Sequence, residues 1–148
     1  MTAEEASPYL KYALFCRDAE EGPGDELALK GIIDLVELPA PGENSDEDRR
    51  VLAEVDVNLA FCIGGATPGQ HHLLVAIKAP GVPLDLPPPQ RIDWEEGIIF
   101  QRWIKVFRIP VQQSGLHVAA ILFDGAPLGE ASFLVRFKDE AEGGAPQS

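Results

Sequence analysis

The sequence predicts an all-β protein, an antiparallel two-sheet β-sandwich of about seven strands with immunoglobulin-like or jelly-roll-like connections. Three observations predict this fold class. Within segments of strand length, apolar side chains alternate with polar or small ones, and turn-forming residues separate these segments. The 14 glycines and 13 prolines among 148 residues favour short elements over long helices. A chain of this length is typical of one domain.

The most regular segment is 54–63, where Val55, Val57 and Leu59 alternate with polar or small side chains. A period of two is typical of a strand with one buried face. The same reasoning predicts further strands at residues 9–17, 27–35, 71–79, 98–111, 116–123 and 131–137.

Two of these strands need a further argument. Residues 98–111 also fit one arc of a helical wheel, but their β-branched and aromatic content and Pro110 favour a strand. Between residues 116–123 and 131–137, the pair Asp124-Gly125 predicts a hairpin, because a type I′ turn needs a positive φ at both central positions. Pro127 and Gly129, just beyond this pair, suggest a longer, bulged connection.

The remaining segments are expected to be loops or tails. Residues 39–50 are polar and rich in turn formers, and residues 84–97 contain three consecutive prolines that favour a stiff, extended connection. We therefore expect a flexible N-terminus at residues 1–8, a single sandwich domain at residues 9–138 and a flexible C-terminal tail at residues 139–148.

The charge of the chain excludes several classes of partner. Twenty-four acidic and 12 basic side chains give a formal net charge of −12, which disfavours binding to nucleic acid or to anionic membrane surfaces. No apolar run reaches the roughly 20 residues of a membrane-spanning helix. Residues 1–8 lack the basic start and apolar run of a signal peptide, so we expect a cytoplasmic protein.

Cysteine and histidine residues give little support for a metal site. Cys16 and Cys62 lie in apolar segments and predict buried free thiols. Neighbouring residues on a strand point to opposite faces, so at most one of His71 and His72 can join His117 in a given site. No zinc-binding spacing is present, and we expect neither a metal ion nor a cofactor.

Binding residues are expected in the two long loops. Asp46 and Asp48 belong to an acidic cluster in residues 39–50, where a sandwich domain could hold calcium, although the cluster lacks the spacing of an EF-hand loop and a solvated acidic loop is the simpler explanation. In residues 84–97, Trp94 is expected at the surface, where it could contact a sugar or a peptide.

Aromatic and basic residues elsewhere complete the set of candidates. Trp103 lies among apolar residues and is expected in the core, whereas Tyr9 and Tyr12 could line a groove. Arg91 belongs to the one locally basic stretch, which also contains Arg102, Lys105 and Arg108. On a strand, these basic side chains divide between two faces and form no continuous stripe for phosphates.

No reactive constellation is recognisable in the sequence. It contains no Gly-x-Ser-x-Gly segment, and the adjacent Glu95 and Glu96 have no distinguishable acidic partner for glycoside hydrolysis. We therefore expect a protein that is not an enzyme.

Three stretches resemble a family of small uncharacterised bacterial proteins of unknown function. They are residues 12–18, residues 27–34 and the segment from Gly115 through Asp124-Gly125 to Pro127-Leu128. In that family a strand with an Ala-Leu-Phe-Cys-type core meets a Leu-x-Leu-x-Gly-Ile strand. The resemblance implies a β-sandwich and brings no catalytic residues.

Taken together, these patterns predict a non-enzymatic binding or protein-interaction module with an unknown protein partner. A homodimer through a sandwich face or an edge strand is also open. The alternatives are a calcium- or carbohydrate-binding module that uses loops 39–50 and 84–97, and a hydrolase whose site is not recognisable from sequence.

Overall fold

The computed structural model describes residues 7–24, 26–39 and 53–138. Within these ranges the chain forms nine strands, and the predicted all-β class is confirmed. They are β1 (Tyr9–Glu21), β2 (Leu27–Ile32), β3 (Leu35–Leu38), β4 (Ala53–Gly64), β5 (Gly69–Lys78), β6 (Gln90–Trp94), β7 (Phe100–Val111), β8 (Gly115–Phe123) and β9 (Ala126–Phe137).

The strands form the two sheets of a sandwich. Sheet I has the order β2-β1-β4-β7, and sheet II has the order β3-β9-β8-β5-β6. All neighbouring strands are antiparallel except β3 and β9, which are parallel. The predicted antiparallel two-sheet sandwich is therefore confirmed, with one parallel pair of strands at an edge of sheet II.

The structure has two strands more than expected, β3 and β6. They contain four and five residues, too few for an alternating pattern to stand out from loop sequence. The predicted strand 27–35 ends early at Ile32, and after two residues the chain enters sheet II as β3. Strand β6 lies within residues 84–97, which the sequence indicates as a loop.

The alternation predicted for residues 54–63 is confirmed in β4. Val55, Val57 and Leu59 point into the sandwich and are at most 6% exposed. The aromatic rings that join the two sheets are Phe15 on β1 and Phe133 on β9, with centroids 5.0 Å apart and an edge-to-face arrangement. Their contact places the centre of the core midway between the two sheets.

Residues 98–111 form strand β7 and no helix. Strand β7 pairs with β4 over twelve residue pairs, from Ala53 with Val111 to Gly64 with Phe100. Pro110 is tolerated because β7 is an edge strand of sheet I, where one side of the backbone has no ladder partner.

The hairpin between β8 and β9 has the predicted Asp124-Gly125 turn. Their φ angles are +53° and +82°, as a type I′ turn requires. The connection is shorter than expected, because β9 begins directly at Ala126. The expected bulge is confirmed: Ile121 pairs with Gly129 and Leu122 with Pro127, which leaves Leu128 as the extra residue. A two-residue turn suffices because its twist matches that of the flanking strands.

The hairpin of β1 and β2 extends further than the sequence indicates. Strand β1 continues to Glu21 through residues expected as a loop. Gly31 has a φ of +68°, and a Cβ atom there would lie 2.8 Å from Cγ of Arg17. Only glycine fits this position without displacing Arg17.

Candidate functional site

The outer side of sheet I carries a half-open groove with a volume of about 770 Å³. Its floor is formed by three residues in one ladder row, Tyr12, Cys62 and Arg102, which pair across β1, β4 and β7. Lys11 and Phe100 continue the floor towards the N-terminal end of β7. Ligand sites of small molecules fall in the range of roughly 300–1,000 Å³.

The tip of the β1–β2 hairpin forms one wall of the groove. Glu21 and Gly24 line this wall, and Nη2 of Arg102 donates a hydrogen bond to the backbone oxygen of Glu26 at 3.3 Å. The hairpin therefore turns back over the outer side of sheet I.

The opposite wall is apolar and is supplied by the connection between β6 and β7. Gly97, Ile98 and Ile99 line it together with Phe100. Ile99 is 68% exposed and Phe100 is 40% exposed, so both side chains still have apolar surface available for contact. The backbone of this wall is held in place because the Trp94 indole N–H donates to the Ile98 carbonyl oxygen at 2.9 Å.

The polar groups of the floor are mainly hydrogen-bond donors. Nζ of Lys11 lies 4.1 Å from the centroid of the Phe100 ring, a cation–π distance. Burial and the neighbouring Cys62 raise the pKa of Tyr12, against the opposing effect of Arg102, so the phenol keeps its proton at neutral pH. A protonated phenol and an ammonium group together suit a ligand that carries an acceptor or a negative charge.

The cysteines are free and buried, as the sequence predicts. Burial raises the pKa of the Cys62 thiol although Lys11 and Arg102 act in the opposite direction. Burial also raises the pKa of Cys16. Both thiols are therefore protonated at neutral pH, which makes them poor nucleophiles.

His71 belongs to a polar network at the end of sheet II. Its Nδ1–H donates to Oδ2 of Asp124 at 2.6 Å, and its Nε2–H donates to the Thr67 carbonyl oxygen at 2.7 Å. Both partners accept only, so the doubly protonated ring is the form that satisfies both contacts. Burial lowers the pKa of His71, but the hydrogen bonds that the ring donates to Asp124 and Thr67 outweigh burial, and the pKa is raised. A ring with both nitrogens protonated cannot serve as a general base.

His117 lies in the opposite environment. It is 0% exposed and stacks on Phe133 with a centroid distance of 5.4 Å. Its Nδ1–H donates to the Gly115 carbonyl oxygen at 3.0 Å, while Nε2 has no hydrogen-bond partner among the described residues. Burial lowers the pKa of His117 and keeps the ring neutral.

This burial predicts a loss of stability in acid that His117→Leu should reduce. In the unfolded chain a histidine titrates near pH 6.5, so below that pH the unfolded state binds a proton that the folded state resists. The free energy of unfolding should therefore fall by up to about 1.4 kcal/mol per pH unit from this one group. Urea unfolding of both proteins between pH 7 and pH 5 measures the difference; parallel pH profiles would contradict a neutral buried ring.

The residues that the sequence indicates for binding do not form one site in the described part of the structure. Trp94 is 2% exposed and packs edge-to-face on Phe123, so its expected surface position is wrong. The reason is that residues 90–94 pair with β5 as strand β6, which turns the indole inwards. Arg91 is exposed on the outer face of sheet II, opposite His72. Asp46 and Asp48 lie outside the described residues.

The groove was only partly accessible to sequence reasoning. Of the two tyrosines proposed to line a groove, Tyr12 does so, whereas Tyr9 packs edge-to-face on Phe100 beside it. Trp103, expected in the core, is half-buried and stacks on Phe61. Lys11 was missed because the β-bulge between Leu10 and Tyr12 that sets its position depends on pairing with β4. Within residues 7–24, 26–39 and 53–138, no cluster of three or more histidine, cysteine or acidic side chains could hold a metal ion.

The fold and the groove together define a two-sheet β-sandwich with a cleft on one outer side. Among the described residues no helix is long and apolar enough to cross a membrane. The chain matches no family model and no curated protein by sequence, so the resemblance to a family of small bacterial proteins is supported only as far as the β-sandwich.

Two solved structures that resemble the chain do so over a part of a larger protein. The alkylpurine DNA glycosylase AlkC of Pseudomonas fluorescens, bound to DNA containing an abasic site analog, matches with a TM-score of 0.53 and 17% identity over 88% of this chain. A β-glucosidase of Listeria innocua in complex with glucose matches with a TM-score of 0.45 and 10% identity over 84% of the chain. This chain spans 31% and 16% of their respective lengths. The likeness to the glycosylase is one of fold alone.

Proposed function

We propose that this chain is a non-enzymatic binding module and that the groove on the outer side of sheet I is its binding site. The single observation that carries the proposal is the groove itself, a volume of about 770 Å³ enclosed between a folded-back hairpin and the β6–β7 connection. One wall is the tip of the β1–β2 hairpin and the other is the β6–β7 connection, and both stand beside the same floor. A binding role accounts for why the chain maintains both.

The chemistry of the groove favours an amphiphilic ligand with a negatively charged head. Lys11 and Tyr12 supply donors on the floor, and Ile99 and Phe100 supply exposed apolar contact area on the wall beside them. A carboxylate attached to an apolar body meets both kinds of surface. Glu21 on the hairpin wall repels a carboxylate, so the head group is expected on the Lys11 side.

The absence of a reaction is supported by the state of the reactive side chains that the structure describes. The thiol of Cys62 in the groove is protonated, both nitrogens of His71 are engaged, and His117 is sealed in the core. None of the three offers a nucleophile or a base to a ligand in the groove.

The proposal is tested by titrating the full chain with three probes that share one alkyl tail: decanoate, 1-decanol and decylammonium. Amide NMR spectra report both the affinity and the place of binding. Decanoate should shift amide signals around Lys11, Tyr12 and Phe100, with decylammonium bound more weakly because of its positive head group.

Matched variants separate the groove from the rest of the surface. Lys11→Met keeps an apolar stem and should weaken decanoate about fivefold while leaving decanol unchanged, since only the charged hydrogen bond is lost. Val106→Ser, on the same side of sheet I but outside the groove, should change neither affinity. Decanoate shifts that map to another surface, or equal binding by Lys11→Met, would refute the assignment.

A further inference from the structure

The outer face of sheet II is apolar, although several of its large side chains are open to solvent. Strand β8 shows this most clearly, because its outward residues are all apolar, as are its inward residues other than Gly115 and His117. In antiparallel sheets with one solvated side, the outward positions are usually polar. The composition of β8 is that of a strand covered on both sides.

Three leucines form the most exposed part of this face. Leu35 on β3, Leu134 on β9 and Leu116 on β8 pair side by side in one ladder row. They are 44%, 41% and 53% exposed, respectively. Val118, Leu122 and Leu74 extend the apolar surface along β8 and β5. We call the outward-facing side of sheet II, centred on these six residues, the leucine face.

The charges around the leucine face are balanced, unlike those of the whole chain. Outward positions of sheet II carry three basic and three acidic side chains, although the chain has a net charge of −12. These are Arg136, Lys78, Arg91, Glu37, Glu130 and Asp93. Two copies of an acidic protein repel each other, and they repel least where the local charge is zero.

We propose that the leucine face is the interface of a homodimer, in which two copies pack their sheets II face to face about a two-fold axis. An isologous contact brings the same patch of both copies together, so it needs a surface that is complementary to itself. A stripe of leucines with a rim of equal positive and negative charges meets that condition. The ten residues 139–148 contain no large apolar side chain that could cover the stripe instead.

The size of the face sets the expected strength of the dimer. Strands about 4.8 Å apart and about eight residues long give a projected area of roughly 500 Å² per copy, or about 1,000 Å² in total. This area is near the lower limit of specific interfaces. We therefore expect a dissociation constant on the order of 1–100 µM.

The dimer leaves the groove available, because the groove lies on the outer side of the other sheet. The two copies would present their grooves on opposite sides of the assembly. The inference does not depend on the proposed ligand, and a variant that breaks the dimer should still bind decanoate. Failure of either proposal is therefore visible separately.

Sedimentation equilibrium of the full chain between about 5 and 500 µM tests the interface over the range in which weak dimers dissociate. The wild type should shift from monomer to dimer, and the dimer should tighten with added salt because salt screens the repulsion between acidic copies. Leu116→Glu and Leu134→Glu should each remain monomeric, with circular dichroism showing that they are folded. The matched control Val106→Glu, a similarly exposed apolar position on sheet I, should dimerise like the wild type.

Three outcomes would overturn the inference. The first is a wild type that stays monomeric throughout this range. The second is a dimer that Val106→Glu disrupts and Leu116→Glu does not, which would assign the interface to sheet I. The third is a monomer that dimerises only when residues 139–148 are removed, which would show that the chain covers the face itself.

Discussion

Replacing Phe133 by alanine is expected to lower the free energy of unfolding by about 3–5 kcal/mol. The Phe133 ring is 1% exposed, meets Phe15 of the opposite sheet edge-to-face at 5.0 Å and stacks on His117. Its removal opens a cavity between the sheets, where the rigid backbones on both sides prevent collapse. The same substitution also exposes the neutral ring of His117 to the cavity.

Chemical denaturation at pH 7 measures this effect against a matched control. Val106→Ala removes an apolar side chain that is 75% exposed, and it should change the unfolding free energy by less than about 0.5 kcal/mol. A loss below about 1.5 kcal/mol in Phe133→Ala would mean that the two sheets do not share one packed core at this position.

The second large effect is expected at the turn between β8 and β9. Asp124→Asn should lower the free energy of unfolding by about 1–2 kcal/mol at pH 6, because the charged hydrogen bond from His71 is lost. The loss is no larger because the Asp124 side chain is 44% exposed, so water already screens the interaction. Asparagine tolerates the positive φ of +53°, so the turn itself is preserved. The variant therefore isolates the electrostatic contribution from the backbone conformation.

The pH dependence of this cost follows from the two pKa directions. The pKa of His71 is raised in the folded protein, so its contribution is complete below the unfolded value near 6.5 and disappears as the pH rises through the folded value. Burial raises the pKa of Asp124, but its hydrogen bonds with His71 and the His72 amide outweigh this and lower it. The contribution is therefore also lost in strong acid, as the pH falls through that lowered value.

Thermal or urea unfolding of wild type and Asp124→Asn at pH 6 and pH 9 checks this window. The difference in stability between them should be largest at pH 6 and shrink at pH 9. Asp93→Asn, which removes an outward carboxylate on the neighbouring strand β6, should show no such dependence. A cost for Asp124→Asn that is the same at both pH values would exclude a charged His71.

His71 and His117 act on stability in opposite directions as the pH falls towards 6. Protonation of His71 is favoured by two acceptors, whereas protonation of His117 is opposed by burial without a partner for Nε2. Whether a histidine in a strand stabilises or destabilises the protein in mild acid is thus decided by what lies at its two nitrogens.

Much of the fold was predictable because its information is local. In β4 and β9 the alternation of side chains reflects the burial of every second residue, and this depends only on the residues within the strand. The Asp124-Gly125 turn is equally local, since its φ angles are a property of the two residues themselves. Strand β7 was identified despite a helical alternative, and Arg102 and Lys105 lie on opposite faces as the strand periodicity requires.

The expected position of Trp94 was wrong for a reason that no local pattern shows. Three prolines precede it and suggest a loop, yet five residues pair with β5 and carry the indole into the core, where it contacts Phe123. A strand this short is stabilised by its partner rather than by its own sequence.

By itself, the sequence determined the all-β class and the hairpin turn, because both follow from the identity and spacing of neighbouring residues. Only the tertiary structure decided which faces are covered and where a groove lies. The groove combines Lys11, Cys62 and Phe100 with a hairpin that turns back over them. Such a meeting of distant segments depends on strand order and backbone bending, which are properties of the assembled sheets and not of any one stretch of chain.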